Sequence, residues 1–194
     1  MLSQLIDNSR TDKNTTHSYI DLYDRLLSSK KHTAKNVLEI GIGDGHQGVT
    51  NGGSIKLWHD YFKNATVHAL DIKPIGEIWS ELSGKDRIKL YTSIDAYDYN
   101  TLKQLFLDKN LKCDFILDDG PHTLDSMKKY IELYTQILTD NGILIIEDVQ
   151  DFSWIDILKS VVPEKLKQYI KVFDLRHIKG RYDDIVFVID KSNL

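Results

Sequence analysis

The chain has 194 residues, of which 41% are hydrophobic and 28% are charged, and its formal net charge is -4. This length suits one compact domain, and the composition excludes a disordered chain and gives no basic surface for nucleic acid. The single cysteine, Cys113, excludes an internal disulfide and a cysteine-based zinc site, and no run reaches the ~20 apolar residues of a membrane span. We therefore expect one domain over residues 1–194, located in the cytoplasm, with neither nucleic acid nor a membrane as partner.

The predicted elements begin with an amphipathic helix from Ser18, in an N-terminal segment, 1–35, that we expect to lie across the carboxyl edge of a sheet. Short aliphatic or β-branched runs then predict strands at 36–40, 66–71, 87–92, 113–119 and 142–148. Helical patterns separate them, starting at Ser54, near Ile75, at Thr101 and at Thr123. This alternation predicts a mostly parallel sheet with helices on both faces.

The C-terminal region departs from the alternation. After a further helical pattern, the runs KVFDLR and DIVFVID are joined by a short turn that contains Gly180. Two strands with a short connection form a hairpin. The last strand should therefore be antiparallel to its neighbours.

A glycine-rich loop, LEIGIGDGHQGVTNGGS, follows the first strand. In open α/β sheets, ligands bind beyond the carboxyl ends of the strands, so this loop is a candidate binding site. Gly43, Gly45 and Gly48 fit the G-x-G-x-x-G dinucleotide pattern, which is weak evidence alone. Glu39, two positions before Gly41, is instead typical of loops that bind S-adenosylmethionine (SAM).

Asp71 ends the second strand, where a carboxylate can accept hydrogen bonds from the two hydroxyls of a ribose. The alternative is that Asp71 only caps the following helix. Together with Glu39 and the glycines, the nucleoside interpretation is favoured.

Two acidic pairs end neighbouring strands: Asp118 and Asp119 the fourth, and Glu147 and Asp148 the fifth. If these strands are adjacent, Asp119, Glu147 and Asp148 converge, and a hard divalent cation would relieve their repulsion. Oxygen ligands favour magnesium, with manganese as an open alternative. His122 should face the same cavity and suits a general base. The alternative is that the aspartates cap the next helix and His122 is a surface residue.

Several segments together resemble the metal-dependent sugar O-methyltransferases that modify macrolide antibiotics, the mycinamicin 2''-O-methyltransferase type. The segments are TDKNTTHSY, LEIGIG with the loop closing in GGSIKLWHDYF, HALDI, DDGPH and NGILIIEDVQDFSW. The resemblance implies the Rossmann-like class I methyltransferase fold, a mostly parallel seven-stranded sheet with an antiparallel C-terminal hairpin strand. It also implies SAM and Mg²⁺ as cofactors.

The resemblance assigns roles to particular residues. His122 and Asp119 would be catalytic, with His122 as the base, and Asp119, Glu147 and Asp148 would hold the metal. The segment 1–35 would cover the cofactor site. The implied cofactor contacts are Thr11, Lys13, Glu39, Gly41, Gly43, Ser54, Asp71, Asp95 and Asp118.

The predicted function is magnesium-dependent transfer of a methyl group from SAM to a hydroxyl of a sugar or nucleotide sugar. A catechol-type O-methyltransferase acting on an aromatic diol remains an alternative. So do a nicotinamide oxidoreductase that uses the glycine pattern and a non-catalytic protein that binds a nucleoside. The sequence is compatible with either a homodimer or a monomer.

Overall fold

The computed structural model describes residues 1–43 and 51–192 and is built around one seven-stranded sheet. The strands are β1 (Asn36–Ile40), β2 (Thr66–Leu70), β3 (Ile88–Tyr91), β4 (Cys113–Asp118), β5 (Leu138–Ile146), β6 (Ile170–Asp174) and β7 (Ile185–Asp190). Their order across the sheet is β3-β2-β1-β4-β5-β7-β6. The chain reverses its direction of winding between β1 and β4, so their carboxyl ends flank the crevice in which ligands bind in open α/β sheets.

The first five strands are parallel, and the C-terminal hairpin is antiparallel. β7 lies between β5 and β6 and pairs antiparallel with both. The predicted fold class, a Rossmann-like methyltransferase sheet with an antiparallel C-terminal hairpin strand, is therefore confirmed. The register of β4 on β5 sets Asp118 beside Ile146, so the residues that follow these two strands emerge side by side.

Helices cover both faces of the sheet. They are α1 (Ile20–Leu27), α2 (Gly53–Tyr61), α3 (Tyr99–Leu102), α4 (Leu124–Tyr134), α5 (Trp154–Val161) and α6 (Arg176–Lys179). Single turns of 3₁₀ helix occur at Leu2–Gln4, Ser28–Lys30, Ile75–Glu77 and Ser80–Leu82, a longer one at Glu164–Tyr169, and a π-helical turn at Lys103–Leu107 continues α3. In the part of the chain that the structure describes, no helix combines the length and the apolar character needed to cross a bilayer.

The sheet separates two hydrophobic cores because successive side chains of a strand point to opposite faces. In β4, Phe115 and Leu117 pack in one core with α1 and α2, whereas Ile116, between them in sequence, packs in the other with α4 and α5. The edge strand β3 is partly exposed, whereas β1, β2, β4 and the second half of β5 have both faces covered. This explains why these strands read as nearly continuous apolar runs.

Several element boundaries differ from the prediction. β4 ends at Asp118 and β5 ends at Ile146, so Asp119, Glu147 and Asp148 follow the strands instead of lying within them. The amides of Asp119 and Glu147 still donate to the carbonyls of Ile40 and Asp118, at 2.9 and 3.2 Å, so both residues stay attached to the edge of the sheet. The turn between β6 and β7 also contains the short helix α6, which ends at Gly180 with φ of +74°.

Candidate active site

A cavity of about 540 Å³ opens at the carboxyl ends of β1, β2, β4 and β5. Eleven of the predicted site residues line it: Thr11, Lys13, Gly41, Gly43, Ser54, Asp71, Asp95, Asp119, His122, Glu147 and Asp148. Its volume falls in the range of pockets that enclose a small-molecule ligand. The cavity thus joins the glycine loop to the acidic strand ends in a single space.

Gly41 brings the loop after β1 into contact with the end of β4. Its φ is +87°, a conformation that glycine adopts without strain, and its amide donates to the carbonyl of Leu70 at 2.9 Å. A Cβ at this position would lie 1.9 Å from the carbonyl oxygen of Asp119. Glycine is therefore required here by backbone conformation and by space. Gly45 and Gly48 of the dinucleotide pattern lie outside the described residues.

Asp71 is held in place by two backbone amides. Its Oδ2 accepts from the amide of Ile42 at 2.7 Å, and its Oδ1 accepts from the amide of Lys73 at 2.8 Å. Each carboxylate oxygen has a further lone pair, so the group can still accept hydrogen bonds from a ligand in the cavity. Asp95, on the same side, accepts from the amide of Tyr97 at 2.8 Å.

Glu39 and Asp118 were expected to contact the cofactor, but neither is among the described residues that line the cavity. Glu39 is fully buried behind the loop, where it accepts hydrogen bonds from Ser54 Oγ at 2.6 Å and from the indole of Trp58. Asp118 accepts from the hydroxyl of Tyr97. Burial raises the pKa of each carboxyl to about 7, against the opposing effects of Lys13 on Glu39 and of the Tyr97 hydrogen bond on Asp118. Their described contacts support the wall of the cavity from behind.

The ends of β4 and β5 bring Asp119, His122 and Asp148 together, with one ligand atom of each within 4.8 Å of the others. His122 Nε2 lies 3.7 Å from Asp119 Oδ1 and 3.5 Å from Asp148 Oδ2. Both His122 and Asp148 have positive φ, +53° and +54°, which is uncommon for residues other than glycine. Such backbone strain concentrates at functional sites, where the surrounding structure holds it.

Lys13 lies among these acids. Its ammonium donates to Asp119 Oδ2 at 2.6 Å and to Glu147, and lies 3.9 Å from Glu39. Burial alone would lower the pKa of Lys13, but the three carboxylates raise it well above its usual value. Glu147, fully buried, also accepts from the hydroxyl of Tyr23. Lys13, distant in sequence, therefore already compensates part of the repulsion that the sequence analysis assigned to a cation alone.

No family model matches the chain. A tetracenomycin rhamnosyl 2'-O-methyltransferase of Streptomyces olivaceus is 26% identical over 145 residues, covering 74% of this chain and 36% of the relative. L-olivosyl-oleandolide 3-O-methyltransferase of Streptomyces antibioticus is 28% identical over 138 residues, 71% of this chain and 34% of the relative. Mycinamicin VI 2''-O-methyltransferase of Micromonospora griseorubida is 26% identical over 142 residues, 71% of this chain and 33% of the relative.

The chain resembles the macrolide sugar O-methyltransferases. The resemblance stated from the sequence is thereby confirmed. The chain spans about a third of the length of these curated relatives. Among solved structures, the MycE methyltransferase of the mycinamycin pathway, in complex with Mg, SAH and mycinamycin VI, superposes with a TM-score of 0.69 at 20% identity, covering 91% of this chain and 50% of that one. At this identity the structural likeness shows a shared fold.

The chemistry of the donor atoms at the strand ends fits a hard divalent cation. Asp119 and Asp148 supply carboxylate oxygens, the ligands that Mg²⁺ prefers, and His122 supplies a ring nitrogen beside them. Glu147 lies outside this group of three in the structure, and its carboxylate accepts from Lys13 and Tyr23.

Three residues of the N-terminal segment contact the acids but were not predicted from the sequence to do so. Tyr19 donates its hydroxyl to Asp148, and His17 lies 3.3 Å from the same carboxylate. Tyr23 has already been described as a donor to Glu147. The segment TDKNTTHSY resembles the corresponding segment of the family, but its polar residues alone do not indicate which strand they contact.

Proposed function

We propose that the chain transfers the methyl group of SAM to a hydroxyl of a sugar, carried by a small-molecule glycoside or a nucleotide sugar. The observation that carries this proposal is the single cavity in which Gly41 and Asp71 face the group formed by Asp119, His122 and Asp148. A nucleoside site and an acid-base site thus share one space. The sugar O-methyltransferases among the relatives support the choice of acceptor.

On the donor side, the backbone of Gly41 and Gly43 accommodates the cofactor, and Asp71 binds its ribose. Asp71 suits this role because two amides already orient the carboxylate, so little ordering is needed on binding. Asp95 lies beside the adenine. The N-terminal segment 1–35 forms part of the same domain and covers the cofactor.

Thr11 lies in that segment, is buried and lines the cavity. Together with Lys13 it faces the methionyl end of the cofactor. The ammonium of Lys13 is engaged by Asp119 and Glu147, so its contribution there is to keep the segment closed over the acids.

On the acceptor side, His122 is the general base. Its imidazole takes the proton of the acceptor hydroxyl, the hydroxyl oxygen attacks the methyl carbon, and the bond from that carbon to sulfur breaks. The bonding electrons pass to sulfur, so the sulfonium becomes the neutral thioether of S-adenosylhomocysteine (SAH). Most of the rate should come from holding oxygen, carbon and sulfur in line, because such positioning reduces the entropic cost of the reaction.

We further propose that Mg²⁺ binds at Asp119 and Asp148. Glu147 enters this ligand set through the family resemblance, since Lys13 and Tyr23 occupy its carboxylate in the structure. When bound, such a cation lowers the pKa of a hydroxyl group near it. Placed next to His122, the carboxylates also stabilise the imidazolium that forms when the proton is transferred.

The proposal is tested by offering the protein SAM with rhamnosides, other glycosides and a catechol, and measuring methylated product by mass spectrometry. We expect methylation of a glycoside, and His122→Ala should abolish it while SAH affinity stays within about twofold, because the ring lies on the acceptor side. The exposed His32→Ala is the matched control and should keep full activity. Methylation of the catechol alone would contradict the sugar assignment, and an active His122→Ala would contradict the base.

A further inference from the structure

His17 connects the N-terminal segment to two acidic residues far along the chain. Its Nδ1 lies 2.7 Å from Asp184 Oδ1 and 3.3 Å from Asp148 Oδ1. The ring is buried, and Tyr19 stacks on it with centroids 5.0 Å apart and planes inclined by 18°. The orientation of the imidazole is therefore fixed from both the edge and the face.

Asp184 is a rigid anchor for this ring. The residue is fully buried immediately before β7, and its carbonyl accepts from the amide of Leu175 at 2.8 Å. The next residue, Ile185, accepts from the amide of Val149 at 3.1 Å, which ties β7 to the residue directly after Asp148. The backbone of Asp184 is therefore held at a fixed position relative to that of Asp148.

The two oxygens of Asp148 face different neighbours. Oδ1 lies toward His17 and accepts from the hydroxyl of Tyr19, whereas Oδ2 lies 3.5 Å from His122 Nε2 in the cavity. A carboxylate rotates readily about its last bond, so the direction of Oδ2 depends on what holds Oδ1.

We propose that His17 and Asp184 are positioning residues that hold Oδ1 of Asp148 on the inner side, so that Oδ2 is presented to the cation beside Asp119. The inference rests on the proposed function, since it concerns the cation of that site. Residues that contact a metal ligand without contacting the metal itself orient that ligand and affect the affinity for the metal. His17 suits the task because its Nδ1 lies within reach of both carboxylates and can carry an N–H that they share.

The same residues could instead form a second cation site. His17, Asp148, Asp183 and Asp184 are all buried, with one ligand atom of each within 4.8 Å of the others. Among the described residues, Asp183 Oδ1 and Asp184 Oδ2 have no hydrogen-bond partner. These four could surround a second cation, in which case His17 would be a ligand and not a positioning residue. The short contact between His17 and Asp184 favours a hydrogen bond.

The test is Mn²⁺ binding to the full chain, followed by electron paramagnetic resonance, with SAH affinity measured in parallel. We expect His17→Ala to weaken Mn²⁺ binding by about 10- to 100-fold while SAH affinity is unchanged. His17→Asn, whose amide nitrogen lies close to the position of Nδ1, should bind Mn²⁺ within about threefold of the original protein, whereas His17→Gln, which extends beyond it, should resemble His17→Ala. Because all three substitutions remove the ring, a loss through stability alone would affect Asn and Gln alike.

Two further measurements complete the design. His17→Ala combined with Asp184→Ala should weaken Mn²⁺ binding no more than either change alone, because both act through Asp148. The exposed His177→Asn is the matched control and should bind normally.

Unchanged Mn²⁺ affinity in His17→Ala and His17→Gln would overturn the positioning role and leave the proposed methyl transfer standing. Binding of two Mn²⁺ ions, with one lost in Asp183→Asn, would overturn it in favour of a second site. If the original protein bound no Mn²⁺, both this inference and the cation part of the proposed function would fail, whereas SAH binding would still report on the cofactor site.

Discussion

Replacing Gly41 by alanine tests how the loop after β1 meets the end of β4. The substitution adds one methyl group at φ of +87°, and that group would lie 1.9 Å from the carbonyl oxygen of Asp119. Gly84 offers a matched control, because its φ is also +87° but no described atom lies within 4 Å of the added Cβ. Both variants place an alanine in the left-handed backbone region, but only in Gly41→Ala does the added Cβ overlap another atom.

The expected magnitudes follow from this pair. An L residue in the left-handed region costs about 1–2 kcal/mol, partly offset by about 0.4–1 kcal/mol because alanine stiffens the unfolded chain. Gly84→Ala should therefore lose about 1 kcal/mol of unfolding free energy. Gly41→Ala should lose about 1–3 kcal/mol more, the usual cost of overpacking. To restore a contact of 3.0 Å, the backbone at Asp119 must also retreat by about 1 Å.

Urea unfolding measures the first effect, and methyl transfer to a glycoside measures the second. A displacement of about 1 Å at a catalytic residue costs about 10²-fold in rate. We therefore expect Gly41→Ala to be about 100-fold slower and Gly84→Ala to retain normal activity. Equal stability and equal activity of the two variants would refute the argument that Gly41 sets the position of Asp119.

Three other changes give distinct signatures. Lys13→Met should lower the free energy of unfolding by about 3 kcal/mol, because it leaves buried carboxylates without their cation. Added Mg²⁺ should restore part of this free energy. In the same urea titrations, the exposed Lys63→Met should change neither the free energy of unfolding nor its response to Mg²⁺. Asp71→Ala should weaken SAH binding by about 30-fold in calorimetry, the equivalent of about 2 kcal/mol of lost hydrogen bonding, and normal affinity would contradict its ribose role. Burial lowers the pKa of His68 from 6.5 to about 4. The contribution of its neutral ring to the free energy of unfolding is therefore present above pH 6.5 and is lost as the pH falls through 4. His68→Gln should remove up to about 3 kcal/mol of this acid dependence, and identical pH profiles of the two proteins would contradict it.

The acidic end of the sheet could be predicted because strand ends are visible in sequence. Asp119 and Asp148 each follow a short apolar run, and once β4 and β5 are taken as neighbours, their meeting is a consequence of parallel geometry. The hairpin of the last two strands was predicted from its short connection. Only the helix within that turn, Arg176–Lys179, was missed.

The partners of the acids could not be predicted, because they come from distant parts of the chain. Lys13 reaches Asp119 across 106 positions and Glu147 across 134. Neither a strand pattern nor a local motif encodes such separations. The contacts of Glu39 with Ser54 and Trp58 were not predicted for a related reason, because they depend on how α2 packs against β1.

The proposed methyl transfer requires that the ends of β4 and β5 hold one divalent cation beside the donor site. Calorimetric titration of Mg²⁺ into the SAH-saturated protein tests it most directly. We expect binding of one equivalent, lost in Asp119→Asn and retained in Asp125→Asn, whose side chain is 88% exposed. Absence of Mg²⁺ binding to the original protein, or binding that survives Asp119→Asn unchanged, would contradict it.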